Sequence, residues 1–203
     1  MFSRDITLAT VRINDLRPTQ MTVGFREVKA KRDHWRSLEG DRDEAFIGSH
    51  MIPVVIGPGD HAYVVDHHHL AMALLQEGVD GILTSTLADL SGLSKPSFWT
   101  YMDNRGWCHP YDESGVRRGF DDIPKAIGGL KDDPYRSLAG ALRHRGAFAK
   151  DLTPFSEFLW ADFYRGRIAA KHLEHAFGAA LDDAFAMAKT KDASYLPGWC
   201  GAD

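Results

Sequence analysis

Apolar and polar positions divide this chain into a strand-rich first half and a helical second half. Leu8, Val11 and Ile13 stand among polar neighbours in a pattern that predicts a first strand, and Pro18 within Asp15–Gln20 breaks it into a turn. From Gly24 to Leu38, Phe25, Val28, Trp35 and Leu38 are set among Lys29, Lys31 and Arg32, which predicts an amphipathic helix with a basic face. A charged loop, Glu39 to Glu44, follows. Ile52–Ile56 and Ala62–Val65 are short β-rich runs, and Gly57-Pro58-Gly59-Asp60 between them is turn chemistry, so the pair predicts a hairpin. The next helix is expected from near His67 to Gln76, burying Leu70, Ala71, Leu74 and Leu75 and ending at Gly78. Val79–Leu87 predicts a further strand.

Beyond Leu90 the texture changes. Ser91–Gly129 is rich in Gly, Pro, Asp and aromatic residues and reads as irregular, with one short helix over Lys95–Met102. Helices are expected over Tyr135–Phe148, over Pro154–Arg165 with Pro154 in the first turn, and over Ile168–Lys189. This predicts a core over residues 1–90 and an irregular, then helical, extension over 91–203 packed on it. No internal repeat is visible.

Composition narrows the function classes. A chain of 203 residues with 44% hydrophobic positions builds a packed core. The net charge of −4 argues against a surface made to coat duplex DNA, and no helix-turn-helix pattern stands out; a local basic pocket is still compatible. Cys108 and Cys200 lie far apart and outside metal-ligand spacing, which places the expected location in the reducing cytoplasm. No apolar run approaches the ~20 residues of a membrane span, and no leader-like stretch opens the chain, so no membrane partner is expected.

The candidate chemistry lies in Tyr63-Val64-Val65-Asp66-His67-His68-His69-Leu70, where a strand is expected to give way to a helix. A helix start presents unpaired N–H groups and the positive end of its dipole, a seat for phosphate or carboxylate. Asp66 is the expected N-cap. An imidazole in the first turn is disfavoured from protonating, yet as a neutral ring it still donates a hydrogen bond and shuttles a proton. Adjacent helical histidines point about 100° apart, so at most two share one ion. His50, His61 and Asp66 are the further donors within reach in sequence, and no metal ligand is assigned.

Gly48-Ser49-His50-Met51-Ile52-Pro53-Val54-Val55-Ile56 followed by Asp66-His67-His68-His69-Leu70 resembles the core of the ParB/sulfiredoxin superfamily: a glycine, a P-I-x-V strand, a hairpin, then an aspartate and a G-H-H-R-like box opening a helix. The opening turn through Leu16 and Pro18 resembles the superfamily's L-x-P. Pro18-Thr19-Gln20, Val23-Gly24, Asp133–Gly140 and Phe155–Phe163 are similar to its putative ParB-like nuclease branch. The resemblance implies an α/β (α+β) fold: a small ParB/sulfiredoxin-like mixed-sheet core with a largely helical C-terminal extension. It also implies a box that binds the phosphates of a nucleotide. Two positions depart from the pattern: the usual glycine is His67 and the usual arginine is Leu70. His68 occupies the sulfiredoxin cysteine position, which removes thiol chemistry.

On this resemblance the expected activity is hydrolysis of a phosphodiester or phosphoanhydride, as a nuclease or nucleotide phosphohydrolase. His68, Asp66 and His69 are the candidate catalytic groups, with His68 moving the proton. His67, His68, His69, Arg26, Lys31 and Lys150 are the candidate phosphate contacts; Gln20, Glu27 and Glu157 complete the pocket. Lys29 and Arg32 are read as a solvated face. Mg²⁺ accompanying a nucleotide is the cofactor this reading allows. A nucleotide- or effector-binding module without turnover is the alternative from another class. A nucleotide-dependent small-molecule kinase is a further one, weakened because the Gln20 amide cannot serve as a base. The expected partner is a nucleotide or other phosphorylated ligand; nucleic acid has weaker support.

Overall fold

The structure is a computed structural model that describes residues 7–38 and 50–201. The charged loop Glu39–Glu44 and the Gly48-Ser49 pair therefore lie outside the described residues. A mixed α/β architecture emerges, its main sheet formed by β1 (Thr7–Arg12), β2 (Arg17–Pro18), β4 (Ile52–Gly57), β5 (His61–Val64) and β6 (Gly81–Asp89) in the order β1-β6-β4-β5-β2. β1 runs antiparallel to β6, β6 parallel to β4, β4 antiparallel to β5, and β5 parallel to β2. A two-stranded parallel ladder joins β3 (Thr22–Val23) to β7 (Lys131–Asp132).

The central strands read as continuous apolar runs because both sheet faces are covered. On one face Ile52, Val54, Ala62 and Val64 pack with α1 (Phe25–Ser37) and α2 (His68–Gln76). On the other, Val55 and Tyr63 meet Phe98, Trp99 and Met102 of α3 (Lys95–Asn104). The expected hairpin is present, with Gly59 at φ 73 in its turn.

Four helices follow: α4 (Pro134–His144), α5 (Ser156–Arg165), α6 (Ala170–His175) and α7 (Phe177–Ala188). They enclose their own core, in which Leu138, Leu142, Trp160, Tyr164 and Ala184 are fully buried. The single helix expected over Ile168–Lys189 is broken at Ala176, whose φ of −144 and ψ of 50 leave the helical region. Pro154 precedes α5 instead of sitting in its first turn, because Phe155 takes a left-handed conformation at φ 58.

α1 and α4 are tied together at their starts. The Phe25 N–H donates to Asp132 Oδ1 at 2.7 Å and the Arg26 N–H to Ser137 Oγ at 3.3 Å, while Asp133 caps α4 by accepting from the Tyr135 and Arg136 N–H groups. Gly24 permits that approach: a Cβ there would lie 2.6 Å from Ser137 Oγ. The basic face of α1 is surface chemistry as expected, since Lys29 pairs with Asp33 and Arg32 with Glu77.

Candidate phosphate-binding cleft

The box residues meet the helical half across a cleft of about 470 Å³. One wall is the start of α2, from Val65 to Leu70. Glu27 and Lys31 of α1 and the Gln20 loop form the second, and Arg136, Arg143 and the segment from Lys150 to Phe158 close the third. Of the site residues expected from sequence, Gln20, Glu27, Lys31, Asp66, His67, His68, His69, Lys150 and Glu157 all line this one cleft. Arg26 does not line it: its guanidinium lies over the Phe177 ring, 3.9 Å from the centroid.

The helix start differs in detail from the expectation. His67, not Asp66, is the residue preceding the first turn of α2; it is exposed and left-handed at φ 68, and among the described residues no side chain caps the helix. The Asp66 carboxylate accepts from the neighbouring His67 N–H at 2.6 Å instead. A histidine tolerates this conformation better than a β-branched residue, but it still stores strain, as residues at binding sites often do.

His68 and His69 are committed to the protein. His68 is 2% exposed, and its Nε2 accepts the Thr19 N–H at 3.1 Å. His69 Nε2 accepts the Gly24 N–H at 2.9 Å and stands 3.6 Å from Glu27 Oε2. An Nε2 acceptor carries its proton on Nδ1. Burial drives the His68 pKa down to about 3, with Asp66 and a backbone bond to Val64 pulling weakly the other way. Burial, then the nearby Arg136, holds His69 well below the ordinary imidazole value. Both rings are thus neutral clamps on the Thr19–Gly24 loop, and the lone pair that a proton carrier at His68 would need is occupied. Of the three histidines, only His67 is exposed.

An ionic ladder crosses the cleft. Arg136 Nη1 lies 3.2 Å from Glu27 Oε2 and its Nη2 3.9 Å from Glu157 Oε2; Arg143 Nε is an ion-pair partner of Glu157 Oε1 at 3.0 Å, without hydrogen-bond alignment. Arg136 is 7% exposed, sits 5.4 Å from the Phe158 ring centroid, and keeps an Nε with no hydrogen-bond partner. Among the described residues Lys31 and Lys150 have no ion-pair partner. Behind this wall His109 is stacked on Tyr111 and meets the tilted rings of Phe155 and Phe158, with centroids 4.1–4.8 Å apart, and burial lowers its pKa to about 3.

Two helix starts line the same space, that of α2 with its first-turn N–H groups without a hydrogen-bond partner among the described residues and that of α5 with the Ser156 and Phe158 N–H groups held by the Thr153 and Phe155 carbonyls. α5, like α2, is entered through a left-handed residue, Phe155, and has no side-chain cap; α1, α3 and α4 are all closed at their starts by side chains. α6 and α7 also lack side-chain caps, but they begin away from the cleft.

The sequence model of the family described as "Putative ParB-like nuclease" matches residues 9–166. The chain belongs to that family. The structure is similar to the crystal structure of protein Atu1540 from Agrobacterium tumefaciens, at a TM-score of 0.90 and 50% identity over 97% of this chain and 100% of that one. A Pnob8-like ParB-N domain aligns over 95% of this chain and 83% of its own at a TM-score of only 0.27 and 11% identity. Among curated proteins none matches.

In the ParB-like frame the two departures find structural accounts. His67 stands in the left-handed position where a box glycine costs no strain. Leu70, in place of the box arginine, is 5% exposed in the core beside α2. The cleft's guanidinium groups come instead from α4. Arg136 and Arg143 are seven residues apart and so lie on one helix face. The spacing can be read from the sequence, but which way that face points is set by the packing of α4 against its neighbours. Among the described residues no group of three or more His, Cys, Asp or Glu side chains converges as a metal site, and no helix is long and apolar enough to cross a membrane.

Proposed function

We propose that the cleft holds the phosphate of a nucleotide or other phosphorylated ligand and hydrolyses its ester or anhydride bond, as a nuclease or nucleotide phosphohydrolase of the ParB-like family. The observation that carries this reading is the convergence of two side-chain-uncapped helix starts with Lys31 and Lys150 in one cleft. Backbone N–H groups and helix dipoles hold an oxyanion without moving, and the lysines add mobile positive charge. Asp66 and His67 are the exposed members of the box, and on this reading they handle the proton. In that step a water oxygen bonds to phosphorus, its proton passes to Asp66 or His67, and the bond to the leaving oxygen breaks with its electron pair staying on that oxygen, which takes up a proton from the same group or from solvent. Mg²⁺ would arrive with the phosphates of a nucleotide, which together with water supply most of the ligands such an ion takes.

The occupied Nε2 atoms of His68 and His69 favour a second reading, a binding module without turnover. Incubation of the purified chain with AMP, CMP, ADP, ATP, CTP and single-stranded DNA, with and without Mg²⁺, separates the two by chromatography of the products. Hydrolysis of at least one of these is expected, and Lys31→Ala and Lys150→Ala are each expected to slow it at least tenfold with folding intact. Calorimetric binding without any product assigns the module instead. Turnover unchanged in both variants contradicts the cleft.

A further inference from the structure

The cleft has a charge balance as well as a location. Among the described residues its lining carries four basic side chains, Lys31, Arg136, Arg143 and Lys150, against four acidic ones, Glu27, Asp66, Asp151 and Glu157. The two guanidinium groups are already matched by Glu27 and Glu157 through the ionic ladder. What remains for a ligand is Lys31, Lys150 and the two helix starts, each worth about half a positive charge. The Asp66 and Asp151 carboxylates stand exposed beside them.

We infer that the ligand is a small phosphomonoester with a single dianionic phosphate, such as a nucleoside monophosphate, and not a nucleoside triphosphate or a polynucleotide. This rests on the phosphate reading above and narrows it. A phosphomonoester brings about −1.5 to −2 charges, which the lysines and helix dipoles offset. Among the described residues each further phosphate meets no spare cation and faces a carboxylate across a partly desolvated space, where like charges repel more strongly than in water. A space of about 470 Å³ suits a small ligand, and clefts for such molecules run roughly 300–1,000 Å³. The Phe155 and Phe158 rings give the organic part of the ester an apolar wall next to Arg136. Arg136, more than nine-tenths buried in the cleft lining, keeps one donor beyond the ionic ladder, an Nε–H with no hydrogen-bond partner among the described residues.

Calorimetric titration of the full chain at low ionic strength, with inorganic phosphate, AMP, CMP, ATP and a short single-stranded DNA oligonucleotide, tests this directly. AMP or CMP is expected to bind at least tenfold more tightly than ATP or the oligonucleotide, with phosphate measurable but weaker. Glu157→Gln removes one negative charge and is expected to narrow the gap between AMP and ATP at least threefold. Asp151→Asn makes the same charge change at an exposed rim position and serves where the first variant fails to fold. ATP or DNA binding as tightly as AMP overturns the inference and leaves the phosphate cleft standing, as does a gap unmoved in the variants. Binding of no anion at all, inorganic phosphate included, overturns the reading beneath it as well.

Discussion

His68 shows how a residue's surroundings replace the role its identity promises. Three consecutive histidines after an aspartate read as proton-transfer chemistry, yet two of the rings lie in the interior, each accepting a backbone N–H from the Thr19–Gly24 loop. Their cost appears in acid. His68 and His109 have native pKa values of about 3 and His69 one well below its ordinary value, while the unfolded chain takes up protons near pH 6.5. The unfolded state therefore binds more protons below that pH. Stability from these rings is complete above about pH 6.5 and is lost as the pH falls towards the native values, by up to ~1.4 kcal/mol per pH unit for each ring. Urea unfolding between pH 7 and pH 4.5 should show this decline. His68→Gln, which keeps an acceptor for Thr19, should make it shallower by about one histidine's share; a slope unchanged in that variant would mean that His68 does not titrate on unfolding. His68→Ala is expected to loosen the loop as well as the site, so loss of activity in that variant alone does not assign a catalytic group.

At the scale of elements, the cleft exists because α1, α2, α4 and α5 present their ends or inner faces to a common space. Gly24 is the joint between two of them. A Cβ at this position would lie 2.6 Å from Ser137 Oγ and 2.8 Å from Ser137 N, with no flexible chain end to move aside. Gly24→Ala is expected to part α1 from α4 and destabilise the fold by about 1–3 kcal/mol, measured as a lower urea midpoint. An unchanged midpoint would show that the contact yields without cost. These elements were legible in the sequence to different degrees. β4, β5 and α2 announce themselves through apolar runs, a Gly-Pro-Gly-Asp turn and helical spacing. The break at Ala176 leaves no mark, because alanine is a strong helix former and the interruption is a tertiary packing choice. The left-handed entry at Phe155 is equally silent, since nothing local in Thr153-Pro154-Phe155-Ser156 demands it.

For the whole molecule, the first-half cluster that includes α1 and α2 and the second-half cluster of α4 to α7 each have their own buried core, and the cleft draws residues from both. That is why the sequence located most of one wall and only part of the other. The box, Glu27 and Lys31 stand close together in the chain's first half. Arg136 and Arg143 reach the site only through the packing of α4 against α1 and α5, which no local pattern records. Arg26 shows the converse, a basic residue beside the right loop that the helix turns away towards Phe177.

The position of a bound oxyanion tests this account most directly. A crystal of the full chain soaked in tungstate, a heavy analogue of phosphate, locates it by anomalous scattering. The expected result is one dominant peak within hydrogen-bonding distance of the first-turn N–H groups of α2, on the side of the cleft that faces Lys150. A dominant peak elsewhere on the protein, or a cleft without tungstate at a concentration that fills other sites, would contradict it.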